Sequence, residues 1–187
     1  TRSTMNALLH RAAKELRPLY AAACALVPAA MTVHADETSV RQANLGKKAF
    51  MWDFVTPELT VYRYAESRSG EVAKDVLGDS TGTLIVDQYT GYNQVTKPGG
   101  RTRAGCLAHA RRKLFEQREH AGIDDALELI SQIYQIERDA KQAGVHGTEA
   151  HLELRRSKSR PLFARLLWWG RGQRGRDPAQ CIGLRLP

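Results

Sequence analysis

Apolar residues recur every three to four positions near the start of the chain, at Leu8, Leu9, Ala12, Leu16 and Leu19. That spacing predicts a helix over 3–23, capped by Ser3 or Thr4 and broken at Pro18. The pattern then shortens. "MTVHADETSV" (31–40), "KKAFMWDFVT" (47–56) and "LTVYRYAES" (59–67) are β-branched or aromatic runs set apart by "NLG" and by Pro57-Glu58. They predict three strands in an antiparallel meander. "SGEVAKDVLGD" (69–79) predicts a short helix that Gly78 ends, and "GTLIVD" (82–87) is a continuous apolar run of the kind found in a central strand. The order is β-β-β-α-β. With the helix as a crossover, the last strand is predicted to lie parallel to the first and beside it.

Two acidic residues stand out against this pattern. Asp36 sits within the first strand and Asp87 ends the fourth. In that strand order the two carboxylates face each other across one pair of neighbouring strands. They repel unless a cation lies between them, and hard oxygen ligands suit Mg²⁺ or Mn²⁺. The bland alternative is a turn cap at Asp36 and a loop start at Asp87. It is the better reading of either residue alone, and the metal site is the better reading of both together. Glu37 alternates to the opposite side of the strand and reads as a solvent-facing or turn residue.

Downstream the period returns to that of a helix. "GCLAHARRKLFEQREH" (105–120) places Cys106 and His109 on one face, and Arg111, Arg112 and Lys113 form a compact cationic cluster suited to backbone phosphates or, equally simply, to a solvated surface. No second Cys/His pair stands at zinc-finger spacing. "GIDDALELISQIYQIERDAKQAG" (122–144) is a long amphipathic helix, and "HLELRRSKSRPLFARLL" (151–167) continues with a basic helical pattern.

Charge and cysteine content sharpen the picture only in part. The net charge of +8 is uneven: residues 1–150 hold 19 Lys+Arg against 18 Asp+Glu, and residues 151–187 hold 9 against 2. A polyanion partner or a solvated basic segment fits that end equally well. Three distant cysteines argue against a disulfide framework and fit a reducing cytoplasm. No apolar run approaches the roughly 20 residues that span a bilayer. A start at Thr1 rather than Met reads as a fragment of something longer.

"HADETSV", "LIVDQYTGYNQV" and "CLAHARRKLFE", in this order and spacing, closely resemble the central domain of transposases of the insertion-sequence 66 family, over roughly residues 3–165. The resemblance implies an α/β, ribonuclease-H-like mixed sheet with an N-terminal helix and a helical insertion. On that reading residues 1–104 are a partial catalytic core, 105–167 the helical insertion region and 168–187 a Gly/Arg-rich tail. It implies Asp36 and Asp87 as the first two catalytic acids, paired Mg²⁺ or Mn²⁺ ions, and phosphoryl transfer on transposon DNA ends. It also suggests that Cys106 and His109 lie near the site, and a packed Cys with a hydrogen-bonded His fits equally. A bacterial, cytoplasmic, nucleoid-associated protein follows, with room for a homo-oligomer.

One departure qualifies the resemblance. A third carboxylate is required, on a helix well beyond the insertion, yet "WWGRGQRGRDPAQCIGLRLP" (168–187) has four Gly, four Arg and no Glu. Such a composition argues against a helix and for a truncated or out-of-frame terminus. Asp177 has no helix to fix it, and Glu116, Glu119 and Glu128 come too early. The expectation is a chain that by itself is inactive or nearly so, with a non-catalytic DNA-binding or assembly remnant as the alternative.

Overall fold

The computed structural model describes residues 1–42 and 46–173. The chain divides into two compact units, residues 1–104 and a second that begins at Gly105.

The first unit opens with α1 (Arg2–Leu26), which Thr1 caps by accepting from the Thr4 amide. It runs unbroken through Pro18, where a break was expected. The ring removes one amide donor, and the turns on either side carry the helix past it. No residue of α1 is buried, although Ala23 and Cys24 at its end lie against the core. The Tyr20 hydroxyl donates to the Tyr62 carbonyl at 2.8 Å.

Five strands follow: β1 (Thr32–Arg41), β2 (Lys48–Val55), β3 (Thr60–Ala65), β4 (Thr83–Val86) and β5 (Thr102–Gly105), with α2 (Glu71–Leu77) between β3 and β4. Their spatial order is β3-β2-β1-β4-β5. β1 pairs antiparallel with β2 and parallel with β4, so the expected meander and crossover are both present. β5, a short polar run, was not foreseen. Residues alternate across the sheet. Val33 and Ala35 of β1, Trp52 and Phe54 of β2, and Leu84 and Val86 of β4 build one core with Ala73 and Leu77 of α2. Each large side chain so buried stabilises the fold by roughly 1.5–3 kcal/mol.

A buried arginine fixes how β1 and β4 start. Arg101, 1% exposed, donates to the carbonyls of Pro28 (2.8 Å) and Ala30 (3.0 Å) just before β1, to Thr83 O at the head of β4 (3.4 Å) and to Ser80 Oγ (2.9 Å). Burial lowers its pKa from the usual guanidinium value. Gly82 completes the junction. It holds a φ of +106°, and a Cβ there would meet Met31 O at 2.5 Å, so only glycine lets the two strand starts approach.

The second unit is helical: α3 (Leu107–Glu116), α4 (Ile123–Gln142), α5 (Glu149–Leu154), a π turn (Arg155–Ser159) and α6 (Arg160–Gln173). Leu114, Ile123, Ala126, Leu129, Ile130 and Leu166 form its core. α6 corrects the reading of "WWGRGQ" as non-helical. Trp169 packs against this core, and that packing outweighs the low helix propensity of Gly170 and Gly172. Residues 174–187, including Asp177, lie outside the described residues. Glu137 joins α4 to the turn after α5: Arg155 donates to both its oxygens (2.8 and 2.6 Å), and His151, 2% exposed, lies at 3.1 Å. Because His151 Nδ1 accepts from the Gly147 amide at 3.1 Å, its Nε2 carries the hydrogen given to Glu137.

Two tests follow from these contacts. Arg101→Leu keeps the volume and strands the Pro28 and Ala30 carbonyls, so it should cost about 3 kcal/mol in denaturant titration followed by circular dichroism; a loss under about 0.5 kcal/mol contradicts the clamp. Hydrogen bonding from Arg155 lowers the Glu137 pKa below its ordinary 4.5. A depressed carboxylate contributes stability that is present above its unfolded value and lost as pH falls through the folded one. Glu137→Gln should therefore lower stability at neutral pH, by about 1 kcal/mol after solvent screening, and flatten the loss below pH 4.5. An unchanged acid limb contradicts this.

Candidate active site

The parallel register between β1 and β4 positions the first two candidate residues. Thr32 pairs with Thr83, Val33 with Leu84 and His34 with Ile85, an offset of 51 positions. Asp36 and Asp87 are separated by the same offset, each two residues past the last recorded pair and so on one face of the sheet. Both are half-buried. Each carboxylate is oriented by a nearby amide: Asp36 Oδ1 accepts from the Glu37 amide at 2.9 Å, and Asp87 Oδ1 from the Tyr89 amide at 2.8 Å. Asp87 is the first residue after β4 and caps the following turn, as the reading of it as a loop start describes.

On β2, Asp53 stands directly opposite Asp36 in the antiparallel register. Directly opposed residues share a face, and the flanking Trp52 and Phe54 are buried on the other one. The half-buried Asp53 therefore lies on the Asp36 side.

Glu37 corrects the sequence reading. Its side chain is only 1% exposed, because Val33, Ala35 and Glu37 alternate onto the core face. Arg68 donates to Glu37 Oε1 through Nε (2.8 Å) and Nη2 (2.5 Å), and the Tyr92 hydroxyl donates to Oε2 at 2.7 Å. A buried carboxylate is tolerated when paired and hydrogen-bonded in this way. The Arg68 guanidinium also lies 4.2 Å from the centre of the Tyr89 ring, and the Tyr89 hydroxyl donates to the Arg68 carbonyl. Tyr89 and Tyr92 meet each other and Trp52 with ring centroids 5.7–6.3 Å apart. Burial first, then the bond to Glu37 and the charges of Glu37, Asp36 and Asp87, push the Tyr92 phenol far above its ordinary range. Arg103 braces the same loop, donating to the carbonyls of Asp87 (2.7 Å) and Tyr89 (2.8 Å) and to Asn93 Oδ1 (2.7 Å). The alternation Val33-Ala35-Glu37 was the available signal for Glu37; Arg68 and Arg103 carried none.

The remaining candidates belong to the second unit. Cys106 is the residue before α3 rather than part of it, with extended backbone, and it is a free thiol. His109 lies in the first turn of α3 and is half-buried. Arg111, Arg112 and Lys113 are all exposed. Arg111, with Ala108, Ser131, Tyr134 and Arg138, lines an open cleft of about 380 Å³. Glu137, His146 and His151 bring one donor atom each within 4.8 Å of one another. Both ring nitrogens of His151 and both oxygens of Glu137 are already hydrogen-bonded there, which describes a structural clamp. Among the described residues no helix is long and apolar enough to cross a membrane.

Comparison with known proteins shows which family the chain resembles. The chain is 31% identical over 189 residues to the uncharacterized protein y4jD of Sinorhizobium fredii, covering 89% of this chain and 37% of that protein. It is 27% identical to y4qI over 73% of the chain and 28% identical to y4hP over 89%, both uncharacterized proteins of the same organism. The chain thus spans about a third of the length of these relatives. The family described as "Transposase IS66 family" matches over residues 1–181. With nearly its whole length matched, the chain belongs to the insertion-sequence 66 family of transposases.

Proposed function

We propose that the first unit is a ribonuclease-H-like catalytic core of a DNA transposase, and that Asp36 and Asp87 are its first two metal-binding acids. The observation that supports this reading is the 51-position offset of the β1–β4 ladder, which Asp36 and Asp87 share two residues beyond its last pair, His34 with Ile85. The donor set fits a hard divalent cation, since it is all carboxylate oxygen and each group is held by a backbone amide. Bound there, Mg²⁺ or Mn²⁺ would supply Lewis-acid activation of a phosphodiester and of the attacking hydroxyl. The chain's own residues do the positioning. Glu37, Arg68 and Tyr92 lock the strand carrying Asp36 to the loop after Asp87, while Arg103 holds that loop by its carbonyls. Arg111, Arg112 and Lys113 offer exposed charge to the DNA backbone.

This region is proposed to bind metal and DNA, and α6, with the sequence "RPLFARLLWWGRGQ", carries no acid that could join Asp36 and Asp87. A non-catalytic DNA-binding remnant is favoured by one observation only, the exposed basic cluster.

Thermal melts with and without Mn²⁺ separate the two readings. Mn²⁺ should raise the melting temperature of the chain, and Asp36→Asn or Asp87→Asn should each abolish that rise. A rise that survives both substitutions, or none in the unaltered chain, favours the remnant. For DNA, replacing Arg111, Arg112 and Lys113 together with Gln should reduce the slope of log affinity against log salt by about 2 to 3. An unchanged slope would take the cluster out of the interface.

A further inference from the structure

The geometry points to a phosphate-binding cleft between α3 and α4, in which Arg111 and Arg138 hold one phosphate of a DNA backbone; this rests on the reading of the exposed basic cluster as a DNA contact and deepens it. Ala108 and Arg111 stand three residues apart on α3, and Ser131, Tyr134 and Arg138 fall at intervals of three and four on α4, so each set shares one helix face. The two faces line one open cleft of about 380 Å³, which the small side chain of Ala108 leaves unfilled. Its polar groups can all donate a hydrogen: two guanidiniums, the Ser131 hydroxyl and the Tyr134 phenol. Burial first, then Cys106, hold that phenol above its ordinary pKa against the pull of Arg111, which keeps its proton in place at neutral pH. No acid lines the cleft. Among the described residues neither arginine has a carboxylate partner, and Arg138 donates to the neutral Gln135 Oε1 at 3.1 and 2.6 Å.

A wall of donors suits an anion that only accepts, and the paired oxygens of a phosphate match a guanidinium fork. A small free ligand is held by enclosure, whereas this cleft is open. A second open hollow of about 600 Å³, lined by Gln135, Arg138, Lys141 and Gln142 and again by no acid, continues along α4 from the same Arg138. A strand of backbone laid along α4 therefore meets donors in both. Arg112 and Lys113 are not in the wall of the cleft, so Arg111 is the member of the basic cluster assigned to it.

Fluorescence anisotropy with a labelled DNA duplex of arbitrary sequence, repeated across a range of salt concentrations, tests this on the full chain. Arg111→Gln, Arg138→Gln, their double variant and Arg138→Lys are compared with Lys74→Gln, which removes an exposed charge from α2. Each single Gln variant should weaken binding about fivefold, and the double variant should lower the slope of log affinity against log salt by about 1, the value for one phosphate. Arg138→Lys keeps the charge and should keep the slope while losing affinity with the fork. Lys74→Gln should bind within about twofold of the unaltered chain. If Arg138→Gln binds as the unaltered chain does while Arg111→Gln is weakened, the basic cluster meets DNA and the cleft is overturned. A fall in slope of about 2 in the double variant means two separate phosphates and overturns the shared grip. An unaltered chain that does not bind the duplex overturns the underlying reading of the cluster instead.

Discussion

A buried guanidinium sets the alignment on which the candidate site depends. Arg101 gives its hydrogens to carbonyls just before β1 and at the head of β4, two strands that also pair directly in the parallel ladder. Burying such a charge is costly, and the cost is offset only when these carbonyls sit where the guanidinium can reach them all. Glu37 works at the far end of the same strands. Its carboxylate, held by Arg68 and Tyr92, ties the end of the meander and the turn after β4 to β1. Between two buried charged groups, one cationic and one anionic, the parallel pair has little freedom to slip. A slip of one residue would move Asp36 to the core face and Glu37 to the open one.

This arrangement divides the labour among adjacent residues. Asp36 and Glu37 are chemically similar neighbours, yet alternation sends one to the open face and the other into the core. The first is left half-buried with an amide to orient it, as a metal ligand needs; the second is neutralised inside the protein and acts as a structural anchor. The aromatic group of Trp52, Tyr89 and Tyr92 beneath them keeps water from Glu37 and gives the loop after Asp87 a firm seat.

Much of this was legible in the sequence where the signal is local. Strand runs such as "GTLIVD", the Gly78 stop and the crossover logic gave the order of the first four strands and the parallel pairing of β1 with β4. What needed long-range information was harder. Glu37 looked solvent-facing because its partners, Arg68 and Tyr92, lie 31 and 55 residues away. β5, with the sequence Thr-Arg-Ala-Gly, has no apolar alternation to announce it. The helix through Pro18 and the helical "WWGRGQ" were misread for one shared reason: local propensity is worth about 1–3 kcal/mol per residue, and neighbouring turns or a packed face outweigh it.

The most direct test of the central claim is a crystal structure of the chain grown with Mn²⁺ and recorded at a wavelength where manganese scatters anomalously. The account predicts an anomalous peak about 2.1 Å from carboxylate oxygens of both Asp36 and Asp87. A peak at Glu137, His146 and His151 with none at the two aspartates would contradict it.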